Sequence, residues 1–401
     1  MDQSAPTILC LASYFKGESF LEAAKELGAT VILLTRKKLA AEDWPWAAID
    51  EHFFMPDLKT QPNITYAVAY LARTRRIDRI VALDDYDVIT AASLREHLRL
   101  PGLSESAAYR FRDKLAMRAR ARDKGILVPE FVQALNDEQM RDFMARVPAP
   151  WMLKPRTEAG AMGIKKIHHP EELWRGLDQL GDERSHFVLE EFVPGYVYHV
   201  DSIVDQAEIK LAAAHSYWQP PFNVAHEGGV FISRTLPETA AEHPHLLAMN
   251  AEIIAGLGLQ WGVTHTEFIR AERDGRYYFL ETAARVGGAN IADLVEAARG
   301  ANLWREWAAV EIAQARGQAY QPPPLRNDYA GVMICLARQK WPDLSAYQEP
   351  EIVYRMHKKY HAGLIVASPD YDRVEWLLAD FHDRFQHDFL AVAPALDKAP
   401  E

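Results

Sequence analysis

The chain has 401 residues, of which 49% are hydrophobic and 25% charged, and a formal net charge of −11. Because this length exceeds one ordinary domain, we expect two or three packed units. The composition is that of a globular protein and excludes a disordered or fibrous chain. The acidic balance argues against a broad nucleic-acid surface, which needs clustered basic residues.

The cysteine content and the apolar runs bear on the compartment. The only two cysteines, Cys10 and Cys335, lie far apart in apolar runs, which excludes a disulfide framework and a cysteine-based zinc site. No segment reaches the roughly 18 apolar residues of a membrane span, and the N-terminus has Asp2 where a signal peptide has basic residues. We therefore expect a cytoplasmic protein with no membrane or nucleic-acid partner.

The first hundred residues alternate short apolar runs with helical patterns. Strands are predicted at Thr7 to Ala12, Thr30 to Leu34, Glu51 to Met55 and Ile77 to Leu83, and helices at Glu18 to Leu27, Ile64 to Arg75 and Asp87 to His97. This alternation is typical of βαβ units with a parallel sheet. The run from Ala12 to Gly17 lacks the G-x-G-x-x-G of dinucleotide binding, so an NAD or FAD site is not expected.

The following segments change from α/β to α+β character. One helix is predicted from Ser104, its cap, to Lys124, followed by a strand at Ile126 to Phe131. Further strands are predicted at Trp151 to Lys154, Gly163 to Ile167, Phe187 to Phe192, Tyr196 to Val204, Glu208 to Ser216, Gly262 to Arg270 and Tyr277 to Thr282. Helices are predicted at Glu242 to Gly256, Ile291 to Arg299 and Leu303 to Ala315. Three consecutive prolines, 322–324, indicate a linker before a last α/β stretch from Tyr329 to Leu390.

Two strand ends could bind a nucleotide. Lys154 ends an apolar strand and precedes a loop of small residues, which lets backbone N–H groups approach phosphate oxygens beside the ammonium group. The strand at 187–192 stops at Pro194-Gly195, where released backbone groups can bind an adenine edge. An ordinary hairpin and an edge strand explain the two segments equally well.

Glu267 and Glu281 stand inside apolar strands, where a carboxylate needs a partner such as a divalent metal. A two-residue hairpin loop would point them to opposite faces. A three-residue loop, 273–275 with Gly275 in the left-handed conformation, would set Glu267 directly across from Glu281. Because facing carboxylates repel without a cation between them, we predict this loop, or another of odd length, and a shared metal.

Five motifs together resemble the ATP-grasp superfamily of carboxylate-amine ligases, which includes biotin carboxylase and D-alanine:D-alanine ligase. They are Lys114 in Arg-Asp-Lys-Leu, Lys154 in Leu-Lys-Pro, Leu-Glu-Glu-Phe-Val-Pro-Gly at 189–195, Glu267 in His-Thr-Glu-Phe, and Leu-Glu-Thr-Ala-Ala-Arg-Val-Gly-Gly at 280–288. The resemblance implies an N-terminal α/β domain with a parallel sheet over 1–103 and an ATP-grasp domain of two α+β lobes over 104–318, divided near 190. A C-terminal α/β subdomain would follow over 319–401.

The resemblance also implies a role for individual residues. ATP would contact Lys114, Lys154, Thr157, Gly160, Gly163, Glu190, Glu191, Val193 and His199. Mg²⁺ or Mn²⁺ would be held by Glu267, Glu281 and Asn290, and Arg285, His265 and Lys154 would act in catalysis. The substrates would contact His215, His226, Arg234, Gly287 and Gly288. A core or solvated position is the alternative for each histidine, and a surface salt bridge for Arg234.

Two positions depart from the family pattern. Val197 stands where a ribose-binding glutamate is common, and Ala283 stands where a metal-binding asparagine is common. His199 or Asp201 is the proposed replacement for the first, and Asn290 for the second. Both departures leave room for a weakened or specialised site.

The predicted reaction is ATP-dependent phosphorylation of a small-molecule carboxylate, followed by attack of an amine, with amino acids among the candidate substrates. The acyl phosphate makes the condensation easier because phosphate leaves where hydroxide would not. His265 or His226 could accept the amine proton. A non-catalytic ATP-binding module, and a carboxylase or phosphoryl transferase, are the alternatives. The prediction leaves a homodimer open.

Overall fold

The computed structural model describes residues 5–393. Its first domain contains a parallel sheet with strand order β3-β2-β1-β4, flanked by helices. The strands are β1 (Thr7–Ala12), β2 (Thr30–Arg36), β3 (Glu51–Met55) and β4 (Arg79–Ala82), and the helices are α1 (Glu18–Glu26), α2 (Asn63–Leu71) and α3 (Val88–Leu98). The prediction of a parallel α/β domain is confirmed. Since β2 and β4 lie on opposite sides of β1, the loops after β1 and β4 form a crevice of the kind in which α/β proteins bind ligands.

The single helix predicted from Ser104 is wrong, because the segment forms α4 (Glu105–Tyr109) and α5 (Lys114–Asp123). Ser104 caps α4 as predicted, accepting a hydrogen bond from the Ala107 amide. Asp113 caps α5 by accepting from the Leu115 and Ala116 amides. An N-cap residue has extended backbone dihedrals, so α5 begins at Asp113 as a separate helix, four residues after α4 ends at Tyr109.

A second sheet is antiparallel and has the order β5-β8-β6-β7. Its elements are β5 (Phe131–Gln133), α6 (Asp137–Arg146), β6 (Trp151–Pro155), β7 (Lys165–Ile167), α7 (Pro170–Leu180) and β8 (Phe187–Glu191). The strand expected at Ile126 to Phe131 begins only at Phe131, and α6 and α7 were not predicted. The two helices pack on this sheet, and their side chains Met140, Phe143, Leu173 and Leu177 share one hydrophobic core with the strands.

An eight-stranded sheet forms the body of the molecule, in the order β13-β12-β9-β10-β11-β14-β16-β15. Its strands are β9 (Gly195–Asp205), β10 (Glu208–Tyr217), β11 (Phe231–Thr235), β12 (Gly262–Ala271), β13 (Tyr277–Ala283), β14 (Tyr329–Leu336), β15 (Ile352–Arg355) and β16 (His361–Ser368). The accompanying helices are α8 (Pro221–Glu227), α9 (Glu242–Leu257), α10 (Ile291–Arg299), α11 (Leu303–Ala315) and α12 (Tyr371–Asp388).

The C-terminal segment shares this sheet. β11 pairs with β14, from Phe231 opposite Ile334 to Arg234 opposite Gly331. The strands on the two sides of the boundary predicted near residue 318 therefore belong to one continuous hydrogen-bonded sheet.

The helices of the described chain, residues 5–393, include none that combines the length and apolarity needed to span a membrane.

Candidate active site

A cleft of about 770 Å³ lies between the small lobe and the eight-stranded sheet. Its walls include Lys154 from β6, Glu267 from β12, Glu281 from β13, Lys114 from the first turn of α5 and Arg285 just after β13. Residues from four of the five motifs thus converge on one volume. This is the size of a pocket that holds a small molecule.

The two carboxylates face each other as predicted, with Glu267 paired directly with Glu281 across β12 and β13. The predicted odd-length loop is wrong. The Ala271 amide donates to the Arg276 carbonyl, which leaves the four residues 272–275 in the loop, with Gly275 left-handed at φ 68°.

A β-bulge reconciles the even loop with the pairing of the two acids. Phe268 pairs with Phe279, but Glu267 pairs with Glu281, so Leu280 is an extra residue on β13. A bulge of this kind shifts the register by one residue. We expected an even-length loop to place the two carboxylates on opposite faces of the sheet. This expectation is wrong, because the bulge shifts the pairing by one residue and brings Glu267 opposite Glu281 again.

Lys114 and Tyr217 orient the two carboxylates. Lys114 Nζ lies 3.2 Å from Glu281 Oε2, and the Tyr217 hydroxyl donates to Glu267 over 2.9 Å. Burial alone would raise the pKa of Glu281, but the nearby ammonium groups of Lys114 and Lys154 outweigh it and hold that pKa below its usual value. Two facing carboxylates offer the oxygen ligands that Mg²⁺ prefers, so this donor set fits the ion.

Behind the cleft, Glu190 forms salt bridges with Lys154 and Arg118. Its side chain is fully buried, with Lys154 Nζ at 2.6 Å and Arg118 Nε at 3.1 Å. Burial would raise the pKa of Glu190, but Arg118 and Lys154 lower it below the usual value. Glu190 is not among the residues that line the cleft. The structure therefore corrects its predicted role from a nucleotide contact to a residue that positions Lys154.

The predicted adenine-binding segment lies at the edge of the cleft. Glu191 and Val193 both line it, and no described residue accepts a hydrogen bond from the Val193 amide. The Glu191 carboxylate pairs with Arg273 in the β12–β13 loop, while its amide donates to the Glu130 carbonyl. A free amide beside the apolar side chains of Met152 and Ile269 suits the edge and faces of a purine ring.

The loop 157–163 lies at the cleft, and hydrogen bonds from other segments fix its first residues. Arg112 donates to the Thr157 carbonyl, and Lys114 Nζ donates to the Glu158 carbonyl over 2.6 Å. The Tyr86 hydroxyl donates to the Glu158 carboxylate over 2.8 Å. Gly160 lines the cleft, whereas Thr157 and Gly163 do not. The loop is therefore fixed at its start and presents small residues over the cleft.

Arg285 connects the cleft with the N-terminal domain. It lines the cleft, donates to the Val286 carbonyl over 2.8 Å, and has Nη2 at 3.6 Å from Asp85 Oδ2. Asp85 also pairs with Arg112 at 2.7 Å. Asp85 was missed by the sequence analysis, although it follows β4 at the crevice beside β1, where polar residues are a signal for a site.

His265 is the one predicted catalytic histidine that reaches the cleft. Its Nδ1 lies 2.8 Å from Asp201 and its Nε2 lies 3.5 Å from Glu267. Burial alone would lower the pKa of His265, but the Asp201 and Glu267 carboxylates raise it to about 9. Gly287 packs against this ring, since an added Cβ would lie 2.9 Å from Nδ1, and Gly288 lines the cleft.

Two histidines predicted as ligand contacts lie beneath the cleft floor. His199 and His215 are both fully buried and stack with ring centroids 4.7 Å apart. The nitrogens of His199 lie 2.6 Å from Asp201 and 2.6 Å from Ser233, and burial lowers its pKa to about 3. The structure thus corrects the predicted ATP contact of His199 and the predicted substrate contact of His215. Neither His199 nor the equally buried Asp201 takes the place of the ribose-binding glutamate that is common at position 197.

Three further predicted residues, Arg234, His226 and Asn290, are not among the residues that line the cleft. Arg234 pairs with Glu375 of α12, which matches the salt-bridge alternative. His226 holds its nitrogens 3.0 Å from the Phe222 and Ile164 carbonyls.

Asn290 caps α10 with a left-handed backbone and donates to Asp293 over 2.7 Å. It is not among the residues that line the cleft, so Asn290 does not take the place of the asparagine that is common at position 283.

A nucleotide-sized cleft between two α+β lobes, with paired acids and converging cations, is the arrangement of the ATP-grasp class. The N-terminal domain agrees, because residues 21–102 match the family model of the ATP-grasp N-terminal domain. The chain has the ATP-grasp fold, as the motifs predicted.

Individual relatives support this assignment. The sequence is 22% identical over 355 residues to an L-arginine-specific L-amino acid ligase of Bacillus subtilis, covering 84% of each chain. The structure resembles an L-amino acid ligase from Bacillus licheniformis with a TM-score of 0.76 and 18% identity, over 97% of this chain and 99% of that one. An N5-carboxyaminoimidazole synthetase from Staphylococcus aureus complexed with ADP gives a TM-score of 0.74 and 16% identity, over 95% and 97%.

Proposed function

We propose that this protein is an ATP- and Mg²⁺-dependent ligase that activates the carboxylate of a small molecule as an acyl phosphate and joins it to an amine, with amino acids as substrates. The observation that carries the proposal is the convergence of Glu267 and Glu281 with Lys154, Lys114 and Arg285 on one cleft. The two amino acid ligases among the relatives support the substrate class.

The cations and the carboxylates divide the work of phosphoryl transfer. Lys114 and Lys154 hold phosphate oxygens by charge and hydrogen bonds. Glu267 and Glu281 hold Mg²⁺, which when bound neutralises charge on the phosphates. A substrate carboxylate oxygen attacks the γ-phosphorus, the bond to the β-phosphate oxygen breaks, and ADP leaves. Arg285 stands beside the acids and stabilises the negative charge that develops.

The second half-reaction forms the C–N bond. The amine nitrogen attacks the acyl carbon, the carbon–oxygen bond to phosphate breaks, and inorganic phosphate leaves. The ammonium proton must be lost before or during this step. We assign no side chain of the cleft to that transfer, because the His265 ring, with a pKa of about 9, already carries its proton near neutral pH.

The apolar wall of the cleft favours a substrate with an apolar side chain. Trp218, Phe222 and Phe231 line the side of the cleft formed by β10, α8 and β11. Aromatic side chains bury large areas of apolar surface when a ligand packs against them. We therefore expect an apolar amino acid to be preferred to an acidic one in at least one of the two substrate positions.

The test measures ADP and phosphate release with Mg-ATP against pairs of amino acids, with bicarbonate as a separate acceptor and mass spectrometry of the products. The ligase requires that release depend on both a carboxylate and an amine, that a dipeptide form, and that Glu281→Ala abolish both. ATP binding without turnover across the panel would instead identify a binding module. Turnover that needs bicarbonate would identify a carboxylase.

A further inference from the structure

A cluster of three histidines and one aspartate lies beneath the cleft floor. His199 and Asp201 are on one face of β9, two residues apart. Direct cross-strand pairing places His215 of β10 opposite His199 and His265 of β12 opposite Asp201. The register of three adjacent strands therefore fixes all four side chains at one point.

The Nδ1 atoms of all three histidines converge on the Asp201 carboxylate. His199 Nδ1 lies 2.6 Å and His215 Nδ1 3.5 Å from Oδ2, and His265 Nδ1 lies 2.8 Å from Oδ1. The candidate ligand atoms of His199, Asp201 and His265 all lie within 4.8 Å of one another. Nitrogen and oxygen atoms bound to one zinc ion at about 2.0–2.1 Å stand about 3.3 Å apart in a tetrahedron, so small side-chain movements suffice for ligation.

Two of the distal ring nitrogens have the partners that metal-bound histidines use. His199 Nε2 lies 2.6 Å from Ser233 Oγ, and His265 Nε2 lies 3.4 Å from the Tyr217 hydroxyl. In a metal site, such contacts fix the tautomer and aim the other nitrogen at the ion.

The surroundings of His215 favour a metal site over an ordinary hydrogen-bond network. It is fully buried, its Nδ1 lies 3.5 Å from Asp201 Oδ2, at the limit of a hydrogen bond, and its Nε2 has no hydrogen-bond partner among the described residues. Leaving a buried polar group without a good partner is unfavourable, because the group loses its hydrogen bonds to water. Coordination of an ion through Nδ1 would replace this long contact with a short bond to the metal.

We propose that His199, Asp201, His215 and His265 bind one zinc ion as a closed structural site. Imidazole nitrogens favour zinc and similar transition metals over Mg²⁺, which requires oxygen ligands. His265 is the member that also lines the cleft, which gives the ion a path of entry. The site ties β9, β10 and β12 together directly below Glu267, and it does not depend on the proposed ligase activity.

The first test measures zinc by mass spectrometry in tag-free protein after removal of loosely bound metal. Wild-type protein is expected to retain one zinc ion per chain. His215→Gln is expected to weaken zinc affinity at least about tenfold, judged by the scale of ligand-shell substitutions, in competition with a chromophoric chelator. His387→Gln is the matched control, because His387 is 91% exposed and outside the cluster. Zinc-free wild-type protein that takes up no added zinc, or equal affinity in His215→Gln and wild type, overturns the proposal.

A second measurement needs no variant and so does not depend on a variant folding. Co²⁺ is added to metal-stripped wild-type protein in the presence of excess Mg²⁺, which occupies carboxylate sites. Intense visible absorption of tetrahedral Co²⁺, lost on adding zinc, supports the site. Only the weak absorption of octahedral Co²⁺ overturns it and leaves the cluster as a hydrogen-bond network.

Discussion

Glu190→Gln is expected to destabilise the protein strongly, because it removes the negative charge between the buried Arg118 and the partly buried Lys154. Arg118 is 1% exposed, and the two cations lie 3.1 and 2.6 Å from the two Glu190 oxygens. The amide keeps the size of the side chain but leaves Arg118 and Lys154 uncompensated. Breaking a buried ion pair in this way costs about 3–5 kcal/mol.

The adjacent residue provides the matched control. Glu191 pairs with Arg273, whose side chain is 45% exposed, and exposed pairs contribute about 0–1 kcal/mol. Thermal and urea denaturation should therefore show a large loss for Glu190→Gln and little change for Glu191→Gln.

The pH dependence of the same comparison follows from the pKa of Glu190. That pKa is lower in the folded protein, so the stabilisation is complete above the unfolded value of about 4.3 and is lost as the pH falls through the folded value. The gap between wild type and Glu190→Gln should narrow only in acid. Equal losses for both variants, or an unchanged Tm with a raised KM for ATP in Glu190→Gln, would refute the assignment of Glu190 as a buried counter-ion.

Three further substitutions test the cleft and the strand contacts around it, and a fourth, Gly176→Ala, is the control for Gly195→Ala. Arg285→Lys should lower kcat about 10²–10³-fold, the usual effect of losing a donor aimed at developing charge, with the KM for ATP little changed in an ADP-release assay. Glu281→Gln should raise the Mg²⁺ concentration needed for half-maximal activity, and an unchanged Mg²⁺ titration would contradict the shared metal site. Gly195→Ala would place a Cβ 2.2 Å from the Arg270 carbonyl oxygen and should lower Tm sharply, whereas Gly176→Ala in α7 meets no atom within 4 Å and should raise stability by up to about 1 kcal/mol.

Local patterns in the sequence were sufficient for much of the fold. β1, β3, α10 and α11 match their predicted bounds, since each is a continuous periodic segment between turn residues. The helix break at Asp113 was missed because a run of basic residues continues across it, although aspartate is a strong N-cap.

The features that the sequence did not reveal depend on long-range pairing. The bulge at Leu280 has no local signature, yet it decides that the two acids meet. The burial of His199 and His215 likewise follows from the pairing of β9 with β10 and β12, which no single segment encodes. Motif spacing identified Lys114, Lys154, Glu267, Glu281 and Arg285 as cleft residues, but it could not tell which neighbouring polar side chains face inward.

The continuous eight-stranded sheet has a consequence for how the molecule unfolds. β14 lies between β11 and β16, so the last strands belong to the same hydrogen-bonded sheet as β12 and β13, which carry Glu267 and Glu281. Regions joined in this way open together as a cooperative unit. A chain ending at the proline run would expose β11 as an unprotected edge, a template for aggregation. Residues 325–393 are therefore a condition for a stable cleft and cannot be removed as an appendage.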